Sequence, residues 1–139
     1  MSNPAESASL TAIVTGEVRH DSVAFRRRVA RCASGFAALG VTQGSALALL
    51  LRNDVPFLEA TLAAQRLGAY PVPLNWHSTP DEIGYIVADC KARVLVVHSD
   101  LLTPQIREAL GATTILVVDT PAGLRAAYEI RRTQGRARA

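Results

Sequence analysis

The sequence predicts an α/β fold, in which a mainly parallel β-sheet is flanked by helices and preceded by a short hairpin. Apolar runs at residues 46–51, 70–74, 93–98 and 114–118 alternate with segments of helical periodicity. This alternation favours parallel strands that are joined by right-handed helical crossovers. The first run is continuously apolar, which is typical of a strand covered on both faces. A chain of 139 residues is long enough for one domain with a buried core.

The first part of the chain predicts a hairpin and then a long helix. Residues 13–18 alternate between apolar and polar around Thr15-Gly16, as two short strands do. Asp21 or Ser22 can cap the following helix, and Gly40 stands where a left-handed C-cap would end it. One helix face is apolar and carries Phe25, Val29, Cys32, Phe36 and Leu39. Four arginines fall mostly on the other faces and are interpreted as a solvated side, with a phosphate-binding patch as the alternative: Arg26, Arg27, Arg28 and Arg31.

The second helix is predicted to lie between two layers of the fold. Asp54 stands at its N-cap, Pro56 is tolerated in its first turn, and Gly68 follows its end. Its apolar residues cover most of its sides: Val55, Phe57, Leu58, Leu62, Ala63, Ala64 and Leu67. The strand at residues 70–74 contains two prolines, each of which lacks an amide donor. We therefore expect that strand to be short, irregular or at an edge of the sheet.

A capping box predicts the start of the third helix. The Thr79 hydroxyl can accept a hydrogen bond from the Glu82 amide, while the Glu82 side chain reaches back to Thr79. The helix then carries an apolar stripe made of Ile83, Ile86, Val87 and Cys90. The next strand is expected to end at His98.

The last elements are a short helix and a further strand. The helix is predicted from Thr103-Pro104 through Leu110, and residues 114–118 are predicted to form a fourth core strand. We assign residues 1–119 to the α/β domain. Residues 120–139 are assigned to a short helix over residues 124–130 and a basic, flexible tail.

Charge and composition argue against several classes of function. The net charge is +3, but four of the arginines lie in the last nine residues, and without them 11 basic residues face 12 acidic ones. The chain has one lysine and no basic face interleaved with aromatic residues, so we expect no nucleic-acid binding. No apolar run approaches the ~20 residues of a membrane span, and the N-terminus lacks the features of a secretory signal. We therefore expect a cytoplasmic protein without a membrane span.

Familiar catalytic and metal-binding motifs are absent from the sequence. There is no G-x-S-x-G, H-E-x-x-H, C-x-x-C or G-x-G-x-x-G. Asp81 and Glu82 are adjacent carboxylates, but the first turn of a helix favours negative charge without any catalytic role. Cys32 and Cys90 lack metal-ligand spacing and are expected to be free thiols, with a disulfide as the alternative. We therefore predict no catalytic residue and no metal ligand in this chain.

Asn75, Trp76 and His77 are the residues that we single out as adjacent to a substrate. They follow the carboxyl end of a predicted strand, where ligands bind in open α/β sheets. Trp76 is also the only tryptophan. The alternative is a plain turn in which Trp76 packs under a neighbouring loop.

An ordered series of segments between Asp21 and about Val97 carries a family resemblance. The segments are Phe25–Phe36, Gly40-Val41, Gly44, Leu47–Asn53, Ala63–Ala69, Pro71–Asn75, Trp76-His77 and Asp81–Cys90. In this order they resemble the N-terminal subdomain of AMP-forming acyl-CoA ligases, a superfamily that includes luciferases and peptide-synthetase adenylation domains. The segments from Trp76 to Cys90 are similar to the branch that activates fatty acids and related carboxylic acids. One departure is Ser45-Ala46, where the family usually has Asp and then a basic residue.

The resemblance implies a reaction whose machinery lies outside these 139 residues. In the family, a Ser/Thr/Gly-rich loop ending in Pro-Lys-Gly holds the ATP phosphates, later motifs bind adenine, ribose and magnesium, and a lid carries a catalytic lysine. None of these motifs occurs here, and Lys91 matches neither family lysine. The implied cofactors of the complete enzyme are ATP, Mg and CoA, with none expected in this chain.

Two hypotheses about function follow. In the first, the chain is the N-terminal fragment of a fatty-acid or carboxylic-acid–CoA ligase and is inactive alone. In the second, it is a stand-alone α/β interaction or regulatory module derived from that fold. In either case we expect partners, either the remaining subdomains or a second copy that binds through exposed helix faces. Nucleotide binding by the sheet itself is a third idea, supported only by analogy of fold.

Overall fold

The computed structural model describes residues 12–15 and 18–125. Within these residues six strands and four helices follow one another: β1 (Ala12–Thr15), β2 (Val18–Asp21), α1 (Ser22–Ala38), β3 (Ala46–Leu50), α2 (Val55–Arg66), β4 (Tyr70–Pro73), α3 (Pro80–Asp89), β5 (Val94–His98), α4 (Pro104–Leu110) and β6 (Thr114–Val118). A helical turn at residues 122–125 follows β6.

The sheet confirms the predicted α/β class. Its four strands lie in the order β4-β3-β5-β6, and every neighbouring pair is parallel. Strands β1 and β2 form a separate antiparallel hairpin, as the alternation at residues 13–18 predicts. Strand β4, which contains both prolines, lies at an edge because an edge strand can spare the amide donors that proline lacks.

Helices cover both faces of the sheet, so the core has two parts. Side chains of β3 and β5 point alternately into one cluster with α1 and α2 and into a second cluster with α3 and α4. Leu47 and Leu49 belong to the first cluster, whereas Ala48 and Leu50 belong to the second. Both central strands are therefore buried on each side, which is why their sequences are continuously apolar.

Capping side chains define three of the helix starts. Asp21 accepts a hydrogen bond from the Ala24 amide at 2.7 Å, which satisfies a donor that α1 leaves unpaired. The predicted capping box is present, since Thr79 Oγ1 accepts from the Glu82 amide at 3.2 Å and Glu82 accepts from the Thr79 amide at 2.9 Å. Thr103 caps α4 in the same way, accepting from an amide at 3.2 Å.

Two predictions about packing are corrected. Strand β6 is an edge strand, not a core strand, since no further strand within the described residues pairs with it, and its Val117 is 51% exposed. Helix α2 packs on one side only. Its small residues face the core, whereas Leu58 and Leu62 are 42% and 40% exposed. Apolar composition predicted the burial of this helix but not the direction from which it is covered.

The predictions for residues 120–139 can be compared with the structure only in part. Of the helix predicted over residues 124–130, residues 124 and 125 lie in the helical turn at 122–125. The rest of that helix and the basic tail lie outside the described residues, and the boundary at residue 119 stays a prediction. Within residues 12–15 and 18–125, no helix combines the length and apolar character needed to cross a membrane.

Replacing Gly84 by alanine is expected to destabilise the contact between α3 and α4. A Cβ atom at this position would lie 2.9 Å from the carbonyl oxygen of Ala109, which is backbone and cannot easily move. We expect Gly84→Ala to lower the free energy of unfolding by about 1–3 kcal/mol, as overpacking does. Urea denaturation followed by circular dichroism measures this change.

Gly35→Ala is the matched control. Gly35 is also a helical glycine, but a Cβ atom there would meet nothing within 4 Å. Alanine at this position should stabilise the protein by about 0.5–1 kcal/mol, because glycine loses more backbone entropy on folding. If both variants gained stability, the close approach of α3 and α4 would not be a constraint.

Candidate functional site

The carboxyl ends of the four parallel strands lie along one edge of the sheet, which we call the carboxyl edge. The chain runs from β3 to β4 on one side and then returns to place β5 on the other side of β3. The strand order therefore reverses between β3 and β5, and ligands of open α/β sheets bind at such a point. The segments that follow the strands there begin at residues 51, 74, 99 and 119.

One side chain from each of these segments joins a row along the carboxyl edge, which we call the edge network. Its members are Trp76 after β4, Arg52 after β3, Asp100 after β5 and Thr120 after β6. The guanidinium carbon of Arg52 lies 5.7 Å from the centroid of the Trp76 ring. Arg52 Nη1 donates a hydrogen bond to Asp100 Oδ2, and the Thr120 hydroxyl donates to Asp100 Oδ1. The row follows the order of the strands in the sheet.

The centre of the edge network is a buried ion pair. The side chains of Arg52 and Asp100 are only 6% and 12% exposed. Burial by itself would raise the pKa of Asp100, but the hydrogen bonds from Arg52 and Thr120 and the arginine charge hold that pKa below the usual carboxyl range. Removal of one partner from such a pair costs about 3–5 kcal/mol, because the other charge stays buried without compensation.

His98 ties the backbone of this region together. It ends β5, as predicted, and is 0% exposed. Its Nδ1 accepts a hydrogen bond from the Arg52 amide at 3.0 Å, so the neutral ring carries its proton on Nε2. Nε2 lies 3.6 Å from Asp54 Oδ2. Burial lowers the pKa of His98, although the nearby charges of Asp54 and Asp100 act in the opposite direction.

Asp54 departs from its predicted role. It occupies the N-cap position of α2, but its side chain makes no capping hydrogen bond. Its carboxylate is directed instead towards Nε2 of His98. The sequence could not show this choice, because His98 lies 44 positions further along the chain and reaches Asp54 only through the pairing of β3 with β5.

The predicted substrate-adjacent residues form a tight turn beside β4. Asn75 Oδ1 accepts a hydrogen bond from the His77 amide at 2.9 Å, and the Asn75 carbonyl accepts from the Ser78 amide at 3.0 Å. Asn75 and His77 are exposed, whereas Trp76 is half-buried against the cluster under α3. The Trp76 and His77 rings lie 3.7 Å apart between centroids at 31°. The turn thus presents two exposed polar side chains around an anchored indole.

Sequence reasoning missed the edge network. It identified Trp76 but left Arg52, Asp100 and Thr120 without a role. The available signal was position, because Arg52 and Asp100 each follow a continuously apolar strand by one or two residues. Carboxyl ends of parallel strands meet at one edge, so charged residues in these positions are expected to come together.

Potential metal ligands and cysteine thiols are further candidates for chemistry in the described part of the chain. Among residues 12–15 and 18–125, no group of three or more His, Cys, Asp or Glu side chains could hold a metal ion. Cys32 and Cys90 are both free and half-buried. Burial and the charge of Glu59 raise the pKa of the Cys32 thiol to about 11, which keeps it protonated near neutral pH. On the face of the sheet that is covered by α1 and α2, where Cys32 also lies, Arg28 and Glu59 form an ion pair that joins the two helices.

Comparison with protein families gives a match over nearly the whole chain. A family model described as "AMP-binding enzyme" matches residues 3–136. The 4-hydroxybenzoate–CoA/benzoate–CoA ligase of Rhodopseudomonas palustris is 38% identical over 102 residues, which are 70% of this chain and 19% of that enzyme. The indoleacetate–CoA ligase of Aromatoleum aromaticum is 36% identical over 95 residues, which are 67% of this chain and 19% of that enzyme.

A third relative is named for a different kind of acid. The long-chain-fatty-acid–CoA ligase FadD13 of Mycobacterium tuberculosis is 36% identical over 66 residues, which are 48% of this chain and 13% of that enzyme. The chain therefore spans about a fifth, or less, of the length of these curated relatives.

Solved structures show the same likeness. An anthranilate CoA ligase in complex with anthranoyl-AMP superposes with a TM-score of 0.71 at 29% identity, covering 80% of this chain and 22% of that protein. A fatty acyl CoA synthetase of Mycobacterium tuberculosis gives a TM-score of 0.67 at 28% identity, with 73% and 21% coverage.

Mild acid is expected to destabilise the protein through His98. Because its pKa is lowered in the folded state, the unfolded chain takes up a proton first, and stability falls as the pH drops below about 7 towards the folded pKa. The Asp100 carboxyl contributes to the pH dependence of stability only at lower pH, since its pKa lies below the usual carboxyl range. Urea midpoints between pH 8 and pH 5 measure the decline.

His98→Asn is the informative variant, because asparagine can still accept a hydrogen bond near the Nδ1 position but does not titrate. We expect the urea midpoint of this variant to change little between pH 8 and pH 5, although it should be lower than that of the parent at every pH. His77→Asn removes an exposed imidazole and is the control, which should decline as the parent does. An equal decline in His98→Asn would show that His98 is not the responsible group.

Proposed function

The chain belongs to the family of AMP-binding enzymes, and we propose from this premise that it is the N-terminal subdomain of an AMP-forming carboxylic acid–CoA ligase. The complete enzyme would activate a carboxylic acid with ATP and magnesium and then transfer the acyl group to CoA. The observation that carries the proposal is the family match over residues 3–136 together with relatives that are all named as CoA ligases or synthases. ATP, Mg and CoA belong to this proposal as cofactors of the complete enzyme.

The proposed role of the chain within that enzyme is to support its active site. The sheet is covered on both faces by its own helices, and the point between β3 and β5 is occupied by the buried Arg52–Asp100 pair. These features favour a rigid support over a site of chemistry. We further propose that Asn75, Trp76 and His77 lie next to a substrate, because two of the three are exposed at the carboxyl edge.

The relatives are named for several classes of acid. The sequence favours fatty acids and related carboxylic acids, whereas the relatives are named for benzoate, indoleacetate and long-chain fatty acids. We therefore propose a carboxylic acid and keep a fatty acid as the narrower prediction. A cytoplasmic location is also part of the proposal, since both cysteines are free thiols.

The alternative of a stand-alone interaction module can be separated from the ligase by a simple observation. If the coding DNA after Ala139 contains an in-frame Ser/Thr/Gly-rich segment ending in Pro-Lys-Gly, the chain is part of a ligase. A stop codon at that point would favour the module instead.

The isolated chain is expected to be inactive as a ligase. It contains none of the family motifs that hold ATP or magnesium, so ATP–pyrophosphate exchange should stay at background with benzoate, indoleacetate or palmitate. The intact benzoate–CoA ligase of Rhodopseudomonas palustris serves as the positive control. Acid-dependent exchange by the purified 139-residue chain would contradict the proposal that its role is only supportive.

A chimaera tests the supportive role directly. The matching 70% of this chain replaces the corresponding 19% of the benzoate–CoA ligase, and circular dichroism confirms that the product is folded. If the chain is an equivalent subdomain, the chimaera should retain benzoate-dependent exchange. A folded chimaera without exchange would count against the assignment.

Self-association of the isolated chain is expected through α2. Leu58 and Leu62 lie one helical turn apart and are 42% and 40% exposed, so they form an apolar strip that another surface can cover. Multi-angle light scattering should give a mass above the 14.8 kDa of one chain at high concentration. The double variant Leu58→Ser/Leu62→Ser should shift it to the monomer.

Val23→Ser is the control for this experiment. Val23 is also exposed and apolar, at 59%, but it lies on α1. Its replacement should leave the mass unchanged. A parent chain that remains monomeric at the highest concentration would contradict the prediction.

A further inference from the structure

The edge network connects the exposed turn at residues 75–77 to the interior of the fold. Arg52 is the member that contacts Trp76 directly, with the Trp76 ring 5.7 Å from its guanidinium carbon, and its Nη1 donates a hydrogen bond to Asp100. A guanidinium within about 6 Å of an indole centroid is attracted to the ring face by the ring quadrupole. The position of Arg52 therefore influences the orientation of the Trp76 ring.

Several independent contacts fix Arg52 itself. Its amide donates to His98 Nδ1 at 3.0 Å, which holds its backbone to the end of β5. Its guanidinium is held by Asp100, and Asp100 is held by the Thr120 hydroxyl and by an amide hydrogen bond to Thr120 Oγ1 at 3.4 Å. A side chain that is 6% exposed and held at both ends has little rotamer freedom.

The turn contains short-range hydrogen bonds of its own. The His77 amide donates to the Asn75 side chain and the Ser78 amide donates to the Asn75 carbonyl. Strand β4, from which it continues, is four residues long, lies at an edge of the sheet and contains two prolines. The half-buried indole of Trp76 is thus the part of the turn that joins it to the protein interior.

We propose that Arg52 is a positioning residue, which sets the orientation of Trp76 and thereby of the 75–77 turn, with Asp100 and Thr120 fixing Arg52 in turn. The consequence for a substrate rests on the proposed function, in which this turn lies next to the substrate. The orientation of Trp76 does not depend on that function and can be measured in the isolated chain. Arg52 is not assigned a role in bond-making or bond-breaking.

The single tryptophan makes the test specific, because the intrinsic indole fluorescence of the chain comes from Trp76 alone. The variant Arg52→Met/Asp100→Leu removes both charges, so neither is left buried without its partner. Such replacements by apolar residues of similar volume are often tolerated. The variant is compared with the parent by emission maximum and by acrylamide quenching at pH 7.5, after circular dichroism has confirmed folding.

We expect the Trp76 emission maximum of the double variant to move to longer wavelength. We also expect acrylamide to quench this emission more strongly, by a factor of about two or more, since loss of a cation–π contact frees the ring. The control is Arg28→Met/Glu59→Leu, which removes another arginine–carboxylate pair, between α1 and α2 on the opposite face of the sheet from Trp76. This control should leave both fluorescence values as in the parent.

Arg52→Lys keeps the proposal testable if the double variant does not fold. Lysine retains the positive charge for Asp100 but lacks the planar guanidinium that stacks over a ring. Acrylamide should quench Trp76 more strongly in Arg52→Lys than in the parent, but by a smaller factor than in the double variant. Unchanged emission and quenching in a folded Arg52 variant, or an equal change in the Arg28/Glu59 control, would overturn the proposal. No substrate or ligase activity enters the measurement, so this outcome is independent of the proposed function.

Discussion

The rest of the structure depends on the complete burial of β3 and β5. Their side chains alternate between two apolar clusters, and neither strand has a face in contact with water. Burial of apolar surface contributes about 25 cal/mol of stabilising free energy per Å². A strand that is buried on both faces gains this contribution from each face. Helices must therefore cover both sides of the sheet, with α1 and α2 on one face and α3 and α4 on the other. Strands β4 and β6 take the edges.

A sheet covered on both faces can place polar groups only at the ends of its strands. Arg52, His98 and Asp100 stand at the carboxyl edge, and they pair with one another's side chains and backbone. The pairing brings together the segments after β3 and β5, and Thr120 and Trp76 extend it to the two outer strands. The position where many α/β proteins bind a ligand is here occupied by a buried ion pair, which holds the surrounding loops in place.

The chain spans about a fifth of the length of the benzoate–CoA ligase to which it is similar, and under the proposed function this arrangement would support the rest of such an enzyme. A supporting subdomain need not carry reactive groups, but it must hold its surface loops at fixed positions, because misplacement by about 1 Å can cost a hundredfold in rate. The 75–77 turn is one exposed part of the carboxyl edge, and the edge network connects it to the core. The chemistry of the family is carried by motifs that these 139 residues do not contain.

Much of the fold and part of the candidate site could be predicted from the sequence. Continuous apolar runs predicted the parallel sheet, and local capping residues such as Thr79 and Thr103 predicted helix starts, because both signals act over a few neighbouring residues. The prolines of β4 likewise predicted a strand that is short, irregular or at an edge, and β4 is both short and at an edge. The turn at Asn75 to His77 was singled out from its position after a strand. The ordered segments between Asp21 and Val97 were sufficient for the family.

Tertiary structure decided what depends on strand order. The sequence alone could not place β6 at an edge or show that Leu58 and Leu62 lie on the uncovered side of α2. It also could not show that Asp54 faces His98 instead of capping its own helix. Asp100 lies 48 positions from Arg52 and meets it only because β5 pairs with β3. The sequence by itself determined the elements and the family, since these follow from local chemistry. Only the pairing of distant strands brought the edge network together, because its contacts join segments that have no local signal for one another.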